Sequence, residues 1–257
     1  MRILLWGSGQ MARHFSLGLK SHSKGAWHFL CHNPSAEKAQ ALAQELGGRV
    51  FAAGMSVDVV VLGFKPQKLS EAAAQLAGLA PGKLVVSLLA AVEHETLRAH
   101  FPQSEILRAM PNLSVALRQG VVLWNGEGLS AQHRAVWSEA LSSLGLAREM
   151  SDAEIDLYTL VSGCAPAYLY ALIQELGAGL AALGADPALA RELLLKSFAG
   201  ALAGSRGEED LTEKISQVAS KGGVTEAVLA ELWPALQKTA APALAKGLAR
   251  TRALKGR

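Results

Sequence analysis

The sequence predicts an α/β chain in which a doubly wound, mostly parallel sheet over residues 1–150 is followed by an all-helical C-terminal domain over residues 151–257. Two observations support this division. Short apolar runs alternate with segments of helical spacing as far as about residue 150, which is typical of a parallel sheet flanked by helices. After Ser151 the strand-like runs stop, and nearly all of the remaining sequence has helical periodicity.

The first half alternates regularly between predicted strands and predicted helices. Strands are predicted at the short apolar runs 2–6, 26–31, 57–64, 84–88, 106–107 and 121–123. The run at 57–64 is nearly continuous in β-branched residues, as expected of a strand covered on both faces. Helices are predicted to about Lys20, from Asn33-Pro34-Ser35 to Gly47-Gly48, and to about Leu79.

In the second half, helices are predicted to start at Ser151-Asp152 and at Asp186-Pro187, with breaks at 204–210 and at Gly222-Gly223. The helical pattern at 153–183 is interrupted by Gly163-Cys164-Ala165-Pro166-Ala167. Proline lacks an N–H, so Pro166 frees the carbonyl of the residue four positions earlier. Two interpretations of this kink stay open. It allows either a tight crossing with another helix or a flat surface on which the planar ring of a nicotinamide or a small substrate packs.

Composition excludes several functional classes. Hydrophobic residues make up 50% of the 257 residues, charged residues 18% and aromatic residues 5%, which fits a large aliphatic core and excludes a disordered chain. The net charge is +3, but five cations and no acid fall in the last twelve residues. The rest of the chain is slightly negative, so we expect no nucleic-acid partner, and we interpret the basic tail as a solvated helix end.

The apolar start of the chain is too short for a signal peptide, and no apolar run is long enough to span a membrane. The two cysteines, Cys31 and Cys164, lie far apart and without metal-ligand spacing, and the seven histidines show no metal motif. We therefore expect a cytoplasmic protein with no membrane partner and no metal site.

A glycine-rich turn follows the first predicted strand. In Gly7-Ser8-Gly9-Gln10-Met11-Ala12, the glycines allow the backbone to approach a pyrophosphate, whose charge meets the free N–H groups of the next helix. Its position in a β-α-β unit favours a dinucleotide site in a Rossmann-type fold over a purely structural turn. The predicted cofactor-binding residues here are Gly7, Ser8, Gly9, Gln10 and Met11.

The end of the second predicted strand bears on cofactor preference. An NAD site usually holds an acid there for the ribose 2′-hydroxyl, but this chain has Cys31-His32-Asn33-Pro34-Ser35. Without a carboxylate to repel a 2′-phosphate, and with donors at Asn33, Ser35 and Lys38, the segment favours NADPH, with NADH as the alternative. Ser35 also fits a simple helix cap.

Ser220-Lys221-Gly222-Gly223-Val224-Thr225 separates two predicted helices. Glycines before a helix N-terminus form a cradle for a small anion such as a carboxylate, while the Thr225 hydroxyl is placed to reach another polar atom of the same ligand. The alternative is a Gly-Gly turn capped by threonine.

Taken in order, six segments of this chain resemble pyrroline-5-carboxylate reductase over nearly its whole length. They are Gly7-Ser8-Gly9-Gln10-Met11-Ala12, Phe64-Lys65-Pro66-Gln67, Val85-Val86-Ser87, Arg108-Ala109-Met110-Pro111-Asn112, Ser162-Gly163-Cys164-Ala165-Pro166-Ala167-Tyr168 and Ser220-Lys221-Gly222-Gly223-Val224-Thr225. The resemblance implies hydride transfer from NAD(P)H to the C=N bond of 1-pyrroline-5-carboxylate, which yields L-proline. It also implies a homodimer, or a higher homo-oligomer, assembled through the helical domain.

The resemblance also implies roles for individual residues. It puts Lys65 and Pro66 beside the cofactor, and Ala90, Met110 and Asn112 near the nicotinamide. On the substrate side it puts Pro166 against the ring and Ser220, Gly223, Val224 and Thr225 on the carboxylate. The Thr225 hydroxyl would lie close to the imine nitrogen, which makes it the predicted catalytic group.

The chain departs from the family pattern at several positions. Lys221 and Val224 replace a proline and a threonine, Cys164-Ala165 replaces a pair of serine and glycine type, Leu113-Ser114 follows Asn112 in place of Thr-Pro, and Ala91 replaces a glycine. These changes leave two alternatives open. One is a reductase for another cyclic imine or related small acid, and the other is a non-catalytic nucleotide-binding paralogue.

Overall fold

The computed structural model describes residues 1–205, 207 and 210–255 of the chain. These residues form two compact units: one comprises Met1–Cys164 and the chain from Leu248 onward, and the other comprises Ala165–Gly247. The domain division after residue 150 stays a prediction. The units separate later in the chain because the helix Asp152–Ser162 packs against the sheet of the first unit.

The described residues contain one eight-stranded sheet, whose order is β3-β2-β1-β4-β5-β6-β7-β8. Its strands are β1 Arg2–Trp6, β2 His28–His32, β3 Arg49–Val50, β4 Val59–Leu62, β5 Leu84–Ser87, β6 Glu105–Pro111, β7 Gly120–Asn125 and β8 Gly145–Glu149. Every neighbouring pair is parallel except β6 and β7, which run antiparallel. The predicted doubly wound, mostly parallel sheet is confirmed.

Six helices flank this sheet: α1 Gln10–Ser23, α2 Ala36–Leu46, α3 Leu69–Leu76, α4 His94–His100, α5 Ala131–Ser142 and α6 Asp152–Ser162. Local chemistry sets their ends as the sequence predicts. The Ser35 side chain caps α2, and Gly47 ends it in the left-handed conformation at φ 65°. Ser151 and Glu154 form a capping box at the start of α6.

The core lies on both faces of the sheet. Ile3 and Leu5 point to a cluster that includes Phe15 and Trp137, whereas Leu4 joins a second cluster with Val60 on the other face. This alternation follows from the period of two along a strand. Since both faces are buried, strands such as β4 are continuously apolar, which is why the sequence predicted them clearly.

The second unit contains helices α7 Ala165–Ala182, α8 Pro187–Ala203 and α9 Leu211–Val218, and most of α10 Val224–Lys255. The all-helical prediction is confirmed, although the helix predicted to begin near Thr225 runs to Lys255 through two prolines. The predicted break at 204–210 falls between α8 and α9, and Arg206, Glu208 and Glu209 lie outside the described residues. Among the residues the structure describes, no helix is both long and apolar enough to cross a membrane.

Candidate active site

The turn between β1 and α1 brings the backbone close to the end of β4. Gly7 has a φ of 109°, and a Cβ added to it would lie 2.6 Å from the carbonyl oxygen of Gly63. Ala12 in turn packs so closely against Gly63 that a side chain there would collide with the alanine methyl. Small residues at these positions therefore let α1 begin against the sheet and direct its N-terminal N–H groups outward.

A cleft of about 610 Å³ opens at this point, beside the carboxyl ends of β1, β2 and β4. Seven predicted cofactor residues line it: Gly7, Ser8, Gly9, Gln10, Met11, Asn33 and Lys65. Four others, Ser35, Pro66, Ala90 and Asn112, do not. A larger cleft of about 710 Å³ lies at the amino ends of β1 and β2. We place the candidate cofactor site in the smaller cleft, beside Gly7, because ligands of open parallel sheets bind beyond the carboxyl ends of the strands.

Asn33 links the glycine-rich turn to the start of α2. Its Nδ2 donates to the hydroxyl oxygen of Ser8 at 2.7 Å, and its Oδ1 accepts from the backbone N–H of Ser35 at 2.9 Å. Ser35 acts as the helix cap that its sequence position also suggested, accepting from the backbone N–H of Lys38. Glu71 is the one acid among the described residues that line the cleft, and it lies 2.8 Å from the ammonium of Lys68, which offsets its charge.

An aromatic pair that the sequence did not predict lines the same cleft. The rings of Trp6 and His32 stack with centroids 3.6 Å apart and planes 15° apart, and both side chains line the cleft. The two residues are opposite each other at the ends of β1 and β2. Burial lowers the pKa of His32 below its ordinary value, so its ring is neutral near pH 7. The signal available in the sequence was an aromatic residue ending each of two neighbouring strands.

Asn112 is buried and uses its side chain to organise backbone. Its Nδ2 donates to the carbonyl oxygen of Ser162 at 3.0 Å, and its Oδ1 accepts from the N–H groups of Ser114 and Val121. Ser162 ends α6, and its carbonyl is the one that Pro166 leaves without a helical donor. The sequence predicted that free carbonyl, and the structure shows that Asn112 satisfies it.

The predicted substrate turn lies between α9 and α10. The N–H of Gly223 donates to the carbonyl oxygen of Ser220 at 2.9 Å, and a Cβ on Gly223 would lie 2.6 Å from the Ser220 hydroxyl oxygen. Glu226 reaches back so that its carboxylate accepts from the N–H of Gly222 at 2.6 Å. The remaining N–H groups of the first helical turn, around Thr225, have no acceptor within the helix, so they suit an anionic ligand.

The predicted residues fall into two groups. The cofactor residues, including Lys65, Pro66, Ala90 and Asn112, belong to the first unit, whereas Pro166, Ser220, Gly223, Val224 and Thr225 belong to the second. Within the second unit, the last four lie in one turn and Pro166 lies in the first turn of α7. A single site formed by both groups stays a prediction.

A buried ion cluster supports strand β6, and sequence reasoning missed it. The side chain of Arg108 has 0% exposure, and its guanidinium lies 2.8 Å from an oxygen of Asp152 and 2.7 Å from an oxygen of Asp156. Lys255 completes the cluster by pairing with Asp156 and Glu93. The expectation of a fully solvated basic tail is therefore wrong at Lys255, while Arg257 lies outside the described residues.

Comparison with known proteins agrees with this architecture. Residues 152–254 match a family model described as pyrroline-5-carboxylate reductase dimerisation, and residues 2–91 match one described as NADP oxidoreductase, coenzyme F420-dependent. The chain is 32% identical over 237 residues to the pyrroline-5-carboxylate reductase of Pseudomonas aeruginosa, with 89% of this chain and 87% of that protein covered. This chain belongs to the pyrroline-5-carboxylate reductase family.

Solved structures extend the match to the whole fold. The pyrroline-5-carboxylate reductase of Streptococcus pyogenes superposes with a TM-score of 0.86 and 25% identity, covering 98% of both chains. A pyrroline carboxylate reductase of Plasmodium falciparum, solved with NADP bound, superposes with a TM-score of 0.85 at 18% identity, covering 99% of this chain and 100% of that one. The fold of this chain is therefore shared even with a protein that is only 18% identical to it.

Proposed function

We propose that this chain reduces 1-pyrroline-5-carboxylate to L-proline with NADPH. The observation that carries the proposal is family membership over 89% of the chain together with a glycine-lined cleft at the start of α1. The reaction needs a bound hydride donor, a site for one carboxylate and a polar group near the imine nitrogen. The chain offers candidate residues for each of these three requirements.

Binding and orientation account for most of the proposed mechanism. The N–H groups at the start of α1, beside Gly7 and Gly9, would hold the phosphates of the cofactor, which would supply the hydride when bound. The free N–H groups of the first turn of α10 hold the substrate carboxylate. The protonated imine nitrogen donates its N–H to the hydroxyl oxygen of Thr225. Because a protonated imine already accepts hydride readily, positioning and electrostatics supply most of the rate enhancement.

We expect NADPH to support a higher kcat/KM than NADH. None of the described residues that line the cleft brings an unpaired carboxylate to the 2′-phosphate, and Asn33, which lines the cleft, offers an amide N–H at the end of β2. Asn33→Asp should lower kcat/KM selectively with NADPH because it adds a negative charge beside the phosphate, whereas Asn33→Ser adds none. Parallel steady-state assays with both cofactors provide the measurement. Equal or better use of NADH by the wild-type protein would refute the preference.

We also propose that the protein assembles at least as a homodimer through its helical domain. The match to the dimerisation model covers residues 152–254, and the second unit leaves large apolar side chains exposed, including Leu183, Leu202 and Leu211. Burying such side chains between subunits is a common origin of stable dimers. Light scattering should give at least twice the monomer mass at assay concentrations. An active monomer under the same conditions would contradict the proposal.

A further inference from the structure

The stacked pair Trp6–His32 lies where a Rossmann-type site distinguishes its cofactors. In such folds the residue at the end of the second strand contacts the ribose 2′ position. Here His32 is the last residue of β2 and lines the cleft. Its carbonyl oxygen accepts from the N–H of Gly7 at 2.9 Å, which ties this position to the glycine-rich turn.

The surroundings of the His32 ring favour its neutral form until an anion arrives. One face of the ring is covered by Trp6, and Phe51 packs edge-on against Trp6, so solvation of a charged imidazolium is poor. The neighbouring Cys31 is buried, and its pKa is raised to about 12, so it carries no charge there. Of the residues that the structure describes, the charged ones lining the cleft are Lys65 and the ion pair of Lys68 with Glu71.

We propose that His32 is a specificity-determining residue that pairs as an imidazolium with the cofactor 2′-phosphate, so that NADPH binding takes up a proton and NADH binding does not. The inference rests on the proposed cofactor site. A phosphate dianion at the end of β2 supplies the charge partner that the free protein lacks there, and this pairing outweighs the cost of burying the imidazolium. NADH carries no charge at this position, so His32 stays neutral with that cofactor.

Coupling between proton uptake and NADPH binding fixes the direction in which NADPH affinity changes with pH. His32 is deprotonated in the free protein near pH 7 because burial lowers its pKa, and the phosphate raises that pKa in the complex. Between the two pKa values, NADPH affinity rises as the pH falls. The affinity for NADH is flat over the same interval. The ratio of the two dissociation constants therefore isolates the contribution of the 2′-phosphate.

Titration calorimetry of the full-length protein in two buffers of different ionisation enthalpy tests the proposal. In a series of measurements across neutral pH, the wild-type protein should take up a fraction of one proton with NADPH, largest between the two pKa values, and almost none with NADH. His32→Phe keeps an aromatic ring on Trp6 but removes the nitrogens. It should lower NADPH affinity about ten- to a hundredfold, as expected for a lost charge-assisted hydrogen bond, and abolish the proton uptake. NADH affinity should not change.

His28→Gln is the matched control, because His28 is an exposed histidine at the other end of the same strand. His32→Gln provides a second variant, and retained NADH binding reports that either variant is folded. Wild-type binding of NADPH without proton uptake would overturn the inference, as would His32→Phe with unchanged NADPH affinity. These experiments measure binding and not turnover. Proton-linked NADPH binding without turnover of pyrroline-5-carboxylate would therefore contradict the proposed function and leave the inference about His32 intact.

Discussion

Replacing Thr225 with valine should lower kcat about ten- to a thousandfold, which corresponds to roughly 1.4 to 4 kcal/mol of transition-state stabilisation. Valine keeps the shape of threonine and removes only the hydroxyl that we place beside the imine nitrogen. The loss should appear in kcat with little change in NADPH affinity, because the cofactor residues lie in the other unit. Steady-state kinetics with pyrroline-5-carboxylate and NADPH provides the measurement.

Two variants serve as controls for this result. Thr225→Ser retains the hydroxyl and should keep most of the activity. Thr239→Val removes a hydroxyl from the same helix, one that donates to the carbonyl oxygen of Ala235 at 2.7 Å, and kcat should not respond. If Thr225→Val keeps the full kcat, the hydroxyl has no part in the reaction.

Replacing Arg108 with methionine should lower the free energy of unfolding by about 3 to 5 kcal/mol, because it removes the buried guanidinium that two carboxylates of the cluster share. Burial opposes ionisation of Asp152, but hydrogen bonds from the His94 N–H and from Arg108 outweigh it, and the pKa lies below the ordinary 3.8. The stabilisation from Asp152 is therefore present above pH 3.8 and is lost as the pH falls through the lowered native pKa.

Urea unfolding at fixed protein concentration measures this effect. Arg2→Met is the matched control, since Arg2 forms an ion pair with Asp58 on the protein surface, and exposed pairs contribute little. A loss for Arg108→Met no larger than that for Arg2→Met would show that the cluster does not stabilise the fold.

Local signals in the sequence predicted most of the fold. The turn at Gly7 and the caps at Ser35 and Ser151 depend on residues only a few positions apart, so their chemistry is visible in the chain itself. The edge strands β3 and β8 were missed because β3 has two residues and both strands are largely exposed, without the apolar runs of central strands. No local feature of the sequence indicated that β6 and β7 pair in antiparallel orientation.

Contacts between distant residues account for what the sequence did not reveal about the site. Nothing near Arg108 indicated that Lys255 would join its cluster. The stack of Trp6 on His32 depends on the register of two strands, which follows from the folded sheet. No local pattern indicated that the Glu226 carboxylate would accept from the N–H of Gly222, a contact that determines which N–H groups stay free for a ligand.

The most direct test of the account is steady-state turnover of 1-pyrroline-5-carboxylate by the pure protein with NADPH. Nicotinamide oxidation followed by absorbance, with proline quantified as the product, measures the proposed reaction itself. We predict saturable turnover that yields one proline for each NADPH oxidised. Intact NADPH binding without any turnover of pyrroline-5-carboxylate would contradict the account.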